Sequence, residues 1–155
     1  AHGPMPTDIG RENGEHAIGR ALDWIVHRHT NALEPGLISG QKHAAFNLMT
    51  LAMMTGTRLI PDLRDHILIV EEISEYLYAF DRAMFHLCSN LATHGLTGIK
   101  LGNVSDITEN DRPFGESPEE ITRRWCEDSD IAYLGRSEIG HDIENRIVPF
   151  GLLKF

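Results

Sequence analysis

The sequence is poor in the features that would assign it quickly to a class of protein. Only two of its 155 residues are cysteine, Cys88 and Cys126, and neither has a CxxC partner. A disulfide framework, a zinc ribbon and a thioredoxin-like dithiol therefore have no basis, and we expect two reduced thiols in or near the core. Basic residues are also scarce, 14 against 23 acidic ones, which gives a formal net charge of −9. That balance disfavours a nucleic-acid partner, because such proteins need a basic surface.

Long apolar runs are absent as well. The longest, such as residues 67–70, fall far short of the roughly 20 residues that cross a bilayer, so no membrane partner is expected. The amino terminus has neither the basic nor the apolar region of a signal peptide, and together with reduced thiols this favours the cytoplasm. Because the chain also lacks an initiating methionine, we expect it to begin inside a longer product.

Motifs for metals and nucleotides are missing too. The sequence contains no GxGxxG or Walker glycine loop and nothing similar to the HExxH of zinc peptidases. His27 and His29 lie two apart on a predicted helix and should point to different faces, which makes them poor joint ligands. The acids Asp106, Glu109 and Asp111 lack the spacing of an EF-hand. We therefore predict no metal site and no cofactor.

What is present is the composition of an ordinary folded domain, with 41% apolar and 24% charged residues. The hydrophobic pattern alternates predicted helices with predicted strands, which indicates an α/β domain. The predicted helices are 15–26, 46–55, 78–92 and one that begins after Ser117, where the sequence forms a capping box. The predicted strands are 37–39, 66–70, the segment around 99–101 and one near 147–148, with a surface loop over 105–116.

Two local features could carry chemistry. The apolar run 66–70 ends in two acids, Glu71 and Glu72, and functional groups of α/β proteins gather at the C-terminal ends of buried strands. The alternative is that these acids simply end the strand by meeting water. His141 follows Gly140 in a glycine-bearing loop and could exchange protons near neutral pH, although most of the nine histidines must be surface or packing residues.

Short motifs spread over almost the whole chain connect these features. In chain order they are His2-Gly3-Pro4-Met5, Asn47-Leu48, Gly56-Thr57, Pro61-Asp62, Glu71-Glu72, Asp81-Arg82, Gly98-Ile99, Leu101-Gly102, Gly140-His141, Asn145, Pro149 and Gly151. Read together, they resemble the C-terminal domain of the LD-carboxypeptidase family of serine peptidases. The first of them is similar to a His-Gly-Pro motif with which the family's N-terminal domain ends.

This resemblance implies the swivelling C-terminal β/α domain of that family, a mixed sheet with flanking helices, over residues 13–155. Residues 1–12 would be the end of the N-terminal domain or an interdomain linker. The resemblance also implies a Ser-His-Glu triad in which Glu71 is the orienting acid and His141 is the general base. The serine would come from an N-terminal domain outside this chain, so the chain alone should be inactive.

The family's best-known reaction removes the terminal D-alanine of murein tetrapeptide during peptidoglycan recycling. The resemblance therefore implies a murein peptide as substrate, a cytoplasmic location and a homodimer. Arg64, Arg82 or Arg112 could bind a substrate carboxylate, but nothing in the sequence selects one of them.

Two departures from the family pattern leave other functions open. Glu72 replaces the usual Asp, and the segment 40–47 is interpreted as an insertion beside the expected site. The chain could instead belong to a peptidase of the microcin C self-immunity type, which cleaves an acyl-nucleotide toxin and needs an aromatic shelf for the base. Trp125 could serve as that shelf, although packing is its simpler role. A third possibility is a non-catalytic domain that keeps the fold.

Overall fold

A computed structural model of the chain describes residues 1–91, 95–108 and 111–154. Its strands are β1 (Lys42–Asn47), β2 (His66–Ile73), β3 (Gly98–Ser105), β4 (Tyr133–Arg136) and β5 (Gly151–Leu152). Its α-helices are α1 (Gly14–Leu22), α2 (Leu48–Met54), α3 (Leu77–Leu91) and α4 (Pro118–Asp128). The strands form one sheet in the order β4-β3-β2-β1-β5, in which only β5 runs antiparallel to its neighbour. The predicted mixed sheet with flanking helices is confirmed.

The central strand β2 separates two cores. Leu68 and Val70 point to the side covered by α2, α3 and α4, whereas Ile69 points to the side covered by the terminal segments. All three side chains are fully buried, which is why the strand appears in the sequence as a continuous apolar run. Because side chains alternate along a strand, Glu71 lies on the same face as Ile69. This alternation places the candidate carboxylate away from the three helices.

The second half of the chain follows the predicted pattern most closely. Helix α3, strand β3 and helix α4 form where the sequence indicated them. At the start of α4 the capping box is present, since Ser117 accepts from the backbone N–H of Glu120 and Glu120 accepts from that of Ser117. No helix within the described ranges combines the length and the apolar character that a membrane span requires.

Strand β1 corrects two predictions. Residues 37–39 do not form a strand, and the segment interpreted as an insertion contains β1, which pairs with β2 on one side and β5 on the other. The sequence of β1 does not show the pattern of a strand, because the polar residue His43 is buried and Ala44 and Ala45 are not β-branched. The ring of His43 is held by Ile38 and Gln41 through their main-chain N–H and C=O, and burial lowers its pKa.

The two ends of the chain also differ from the prediction. The first helix keeps α-helical form only to Leu22 and continues as a π-helical turn, Asp23–His27. It packs through Ala17, Ala21 and Trp24, whereas the other apolar residues Leu22, Ile25 and Val26 of the predicted helix 15–26 are exposed. Near the other end, Ile147 and Val148 make isolated bridges to Leu33 and His2, and the strands of this region are β4 and β5. Four-residue and two-residue strands give too little alternation to be detected in a sequence.

Candidate active site

The carboxylate of Glu71 lies at the centre of the site. Its side chain is 0% exposed, at the C-terminal end of the buried part of β2. The pairing of β2 with β3 shifts beside it, because Val70 pairs with Leu101 but Glu72 pairs with Val104. Two residues of β3 therefore stand opposite Glu71, which is a β-bulge. Bulges commonly redirect side chains next to functional sites, and this one faces the candidate acid.

The imidazole of His141 contacts this carboxylate directly. Its Nδ1 lies 2.7 Å from Oε2 of Glu71, although 70 positions separate the two residues in the sequence. The contact that the expected triad would require of this pair is present, while the catalytic roles of the two residues stay a prediction. The His141 side chain is 21% exposed, so the pair runs from a buried acid to a ring that reaches the surface. With Nδ1 directed at the carboxylate, Nε2 is the nitrogen that can exchange a proton with a third group.

Glycines in the bulge and in the histidine loop make this approach possible. A Cβ on Gly102 would lie 2.8 Å from the carbonyl oxygen of Ile139 and 3.0 Å from Cβ of Glu71. A Cβ on Gly140 would lie 2.8 Å from Cβ of Asn103. The backbone N–H of Asn103 donates to the carbonyl of Ile139 over 2.7 Å, which ties the loop to the bulge. Larger residues at these two glycines would push His141 away from Glu71.

Polar contacts fix the loop that carries His141. Within the loop, Oδ1 of Asn145 accepts from the backbone N–H of Gly140. From the amino-terminal part of the chain, Arg11 donates to the carbonyl of His141 over 2.7 Å. Arg20 donates to the carbonyls of Ile143 and Asn145. These two arginines were not identified from the sequence, because contacts to main-chain carbonyls leave no residue pattern.

The pair opens into a small polar cavity of about 240 Å³. Its lining consists of Ala1, His2, Gly3, Met5, Asp8, Asn47, Glu71, Gly140, His141 and Asn145. The lining residues within the described part of the chain include neither a serine nor an aromatic ring other than imidazole. The cavity can thus present an acid and a base to a ligand, and the described residues around it supply no hydroxyl nucleophile.

Glu72 has a different role from its neighbour. Its carboxylate accepts from Nδ2 of Asn47 over 2.6 Å and from the backbone N–H groups of Met49 and Ile73 over 2.8 and 2.9 Å. Asn47 in turn caps α2 through Thr50. Glu72 therefore fixes the start of α2 and holds the Asn47 side chain at the cavity. The alternative from the sequence, that Glu71 and Glu72 end the strand by meeting water, is wrong because both side chains are buried.

The remaining sequence candidates lie elsewhere. Arg64 precedes β2, at the opposite end from Glu71, and pairs with Asp62. Arg82 covers the ring of Tyr78 on α3. Trp125 belongs to α4 on the helical side of the sheet, where its ring packs at a tilt against Phe85 and its Nε1–H donates to Asp81, so packing is the role the structure assigns to it. These side chains do not line the cavity. Arg112 does not line it either, and the structure gives no contact that would favour Arg112 as the residue that binds a substrate carboxylate.

The metal candidates give a correction. His27 and His29 were expected on different helix faces, but their rings stack with centroids 5.3 Å apart. The reason is that the helical turn ends at His27 and the next residue, Arg28, turns the chain with a φ of +59°, so that His29 lies outside the helix. Across the described ranges, no three His, Cys, Asp or Glu side chains cluster as metal ligands would. Glu109 lies outside the described residues.

The chain combines a mixed α/β sheet with a buried carboxylate that contacts a partly exposed imidazole. This is the arrangement of the acid and the base in hydrolase triads. Comparison with known proteins specifies the family. The chain belongs to the LD-carboxypeptidase family of serine carboxypeptidases, since residues 43–153 match the model described as the LD-carboxypeptidase C-terminal domain. The resemblance stated from the sequence motifs is confirmed.

Individual relatives agree with this assignment. The chain is 27% identical over 173 aligned positions to the murein tetrapeptide carboxypeptidase of Pseudomonas aeruginosa, covering 97% of this chain and 53% of that protein. The crystal structure of muramoyltetrapeptide carboxypeptidase from Oxalobacter formigenes superposes with a TM-score of 0.69 at 21% identity, over 88% of this chain and 49% of that one.

A second group of similar structures is the microcin C7 self immunity protein MccF. Its inactive mutant in the apo state gives a TM-score of 0.53 at 21% identity, over 70% of this chain and 33% of that one. At this identity the structural likenesses show the fold. The chain spans about half the length of the curated relative it matches.

Proposed function

We propose that this chain supplies the acid and the base of a Ser-His-Glu triad in a serine carboxypeptidase. The enzyme hydrolyses an L,D-peptide bond and releases the terminal D-alanine of murein tetrapeptide during peptidoglycan recycling. Glu71 is the orienting acid and His141 is the general base. The observation that carries the proposal is the 2.7 Å contact between Nδ1 of His141 and Oε2 of a completely buried Glu71. The murein tetrapeptide carboxypeptidase among the relatives supports the substrate class.

The proposed roles follow from the order of the groups. Nε2 of His141 takes the proton of the serine hydroxyl while the serine oxygen bonds to the carbonyl carbon of the substrate and the carbonyl electrons move to oxygen. When that intermediate collapses, the C–N bond breaks and the proton passes from His141 to the nitrogen of D-alanine. Water then cleaves the acyl-serine by the same path. Throughout, the Glu71 carboxylate holds the ring orientation and stabilises the imidazolium.

The serine belongs to an N-terminal domain outside this chain. Two observations support this part of the proposal. The described residues that line the cavity include no serine, and its volume of about 240 Å³ is below the roughly 300–1,000 Å³ of most ligand sites. Residues 13–155 then form the C-terminal domain, and residues 1–12 are the end of the N-terminal domain or the linker. Family membership supports a homodimer and a cytoplasmic location as further parts of the proposal.

The test is release of D-alanine from murein tetrapeptide, measured for two samples. We expect no release by the 155-residue chain alone and catalysed release by a polypeptide that carries a serine-bearing N-terminal domain ahead of Ala1. A His141→Ala variant of the second sample should be inactive. Absence of release from both samples, with the polypeptide folded, would refute the peptidase proposal and favour a non-catalytic domain.

An MccF-type activity is the second candidate. Solved structures of MccF that contain aspartyl sulfamoyl adenosine and glutamyl sulfamoyl guanosine are similar to this chain, with TM-scores of 0.50 and 0.53. Against it, Trp125 lies on the other side of the sheet from Glu71, so the described residues provide no aromatic shelf at the cavity. Faster hydrolysis of an aminoacyl sulfamoyl nucleoside than of murein tetrapeptide would favour this candidate.

A further inference from the structure

A second histidine approaches the buried carboxylate. Nε2 of His2 lies 3.6 Å from Oε1 of Glu71, while the other oxygen, Oε2, receives His141. Oε1 is buried and has no hydrogen-bond partner within the described residues. Because an unpaired oxygen of a buried carboxylate is costly, this position calls for a donor. The His2 ring is the group that faces it.

The main chain delivers His2 to this position. Its backbone N–H donates to the carbonyl of Val148 over 2.8 Å, and its carbonyl accepts from the N–H of Val148 over 3.1 Å. The following residue is Gly3, at which a Cβ would lie 2.7 Å from Cδ1 of Ile147. The absence of a side chain at Gly3 therefore lets the strand-like segment lie close to the buried Ile147. Since backbone bonds hold His2, replacing its side chain should leave this segment in place.

The surroundings of the ring indicate which of its nitrogens faces the carboxylate as a donor. Nδ1 of His2 is buried and has no hydrogen-bond partner in the described part of the chain. A tautomer with its only proton on Nδ1 would leave that proton without an acceptor and would present no N–H to Oε1 of Glu71. A proton on Nε2 is directed toward Oε1 of Glu71. The donor and the unpaired acceptor thus match.

We infer that His2 is a positioning residue for the Glu71–His141 pair. Its Nε2–H holds Oε1 of Glu71, and this keeps Oε2 on Nδ1 of His141 and fixes the tautomer of that ring. The 3.6 Å separation is longer than a hydrogen bond, and an approach of a few tenths of an ångström closes it. Catalytic triads commonly tighten in this way when substrate binds. The effect of His2 on turnover rests on the proposed function. Its effect on the orientation of the Glu71 side chain is independent of that function.

The orientation is tested first, on the 155-residue chain, by ¹⁵N NMR of the His141 ring. We expect wild type and His2→Gln, whose amide N–H replaces Nε2–H, to show one fixed tautomer protonated at Nδ1. His2→Phe should show the averaged shifts of two tautomers. His16→Phe, the same change at an exposed histidine of α1, is the control and should match wild type. Backbone amide spectra establish folding, and His2→Leu replaces His2→Phe if the larger ring does not fit.

Turnover is tested second, in the polypeptide that carries the serine-bearing domain. Loss of one hydrogen bond to a charged group predicts a fall in kcat of about tenfold or more for His2→Phe, with KM changed less than about twofold. His2→Gln should recover most of kcat. A wild-type His141 spectrum in His2→Phe overturns the inference, whatever the rates are. If the spectra change as expected but wild type releases no D-alanine, the proposed function is wrong and the orienting role of His2 stands.

Discussion

Arg11 donates a hydrogen bond to the main-chain carbonyl of His141 over 2.7 Å, although 130 positions separate the two residues. Arg20 binds the same loop two and four residues further on, at the carbonyls of Ile143 and Asn145. Both arginines precede residues 43–153, the part that matches the family's C-terminal domain. The candidate base is therefore positioned by a segment outside the matched region, and its geometry should depend on that segment.

Arg20→Met is predicted to loosen the histidine loop without unfolding the domain. Methionine retains an apolar stem but removes the donors to Ile143 and Asn145, which should cost about 1–3 kcal/mol of unfolding free energy. Amide hydrogen exchange over residues 140–146 should accelerate more than exchange in β2. Arg58→Met, at an exposed position after α2, is the matched control. Equal exchange in both variants would show that Arg20 does not hold the loop.

Glu71→Gln should abolish turnover in the polypeptide that carries the serine. The amide is nearly isosteric but can present an N–H to Nδ1 of His141, which stabilises the wrong tautomer and gives no charge to an imidazolium. We expect kcat to fall by about a thousandfold or more, with KM little changed. Circular dichroism checks that the fold is retained, and Glu127→Gln on the exposed side of α4 controls for loss of a carboxylate.

The double variant Glu71→Gln/His141→Ala provides an independent check on the same pair. Members of a triad act as a unit, so the second substitution should add little to the loss caused by His141→Ala alone. Fully multiplicative losses would show that the two residues act separately, despite the 2.7 Å contact between them.

The acid of the site was predictable because its signal is local. An apolar run closed by Glu71 can be seen in a sequence, and the alternation that places Glu71 beside Ile69 follows from strand geometry alone. Its pairing with His141 came from the resemblance to a family, since no local pattern joins residues 70 positions apart. Strand β1 was missed because it has no such local signal. Its segment contains a buried histidine, His43, and few β-branched residues, so its sequence is typical of a loop. Its pairing with β2 and β5 makes it a strand.

The supports of the site were beyond prediction from residue patterns. His2 was noticed as part of a motif, but its approach to Glu71 depends on a backbone bridge to Val148. Arg20 binds carbonyl groups, which every residue possesses, so the sequence does not reveal its partner. Such contacts form only when segments that are distant in the sequence pack together around the two cores, so no local residue pattern reveals them.

The two cysteines should be unreactive in the folded chain. Cys88 on α3 and Cys126 on α4 are both buried, and the neighbouring Cys126 thiol together with burial raises the pKa of the Cys88 thiol. The Cys88 thiol in turn lowers the pKa of Cys126, so for Cys126 the burial of the side chain is what excludes the reagent. Modification by a thiol reagent at neutral pH should therefore be slow in the native chain. Two equivalents should react rapidly in guanidinium chloride. Native labelling at the unfolded rate would contradict the burial of this pair.

The capping box of α4 predicts a pH-dependent contribution to stability. The carboxylate of Glu120 accepts from the backbone N–H and the hydroxyl of Ser117, both over 2.7 Å, and these bonds lower the pKa of that carboxyl, the backbone bond most. A carboxyl whose pKa is lower when folded stabilises the fold above its unfolded pKa of about 4.3, and the effect is lost as pH falls through the folded value.

Glu120→Gln should therefore destabilise the chain most near neutral pH, with the difference from wild type shrinking as the pH falls below about 4. Ser117→Ala removes the hydroxyl but keeps the backbone bond to Glu120, so its difference from wild type should shrink less over the same range. Urea unfolding of the three proteins at several pH values measures these differences. Because Glu120 is exposed, salt should also reduce the Glu120→Gln effect at neutral pH. A difference that stays constant from neutral to acid pH would show that the Glu120 charge contributes nothing to the cap.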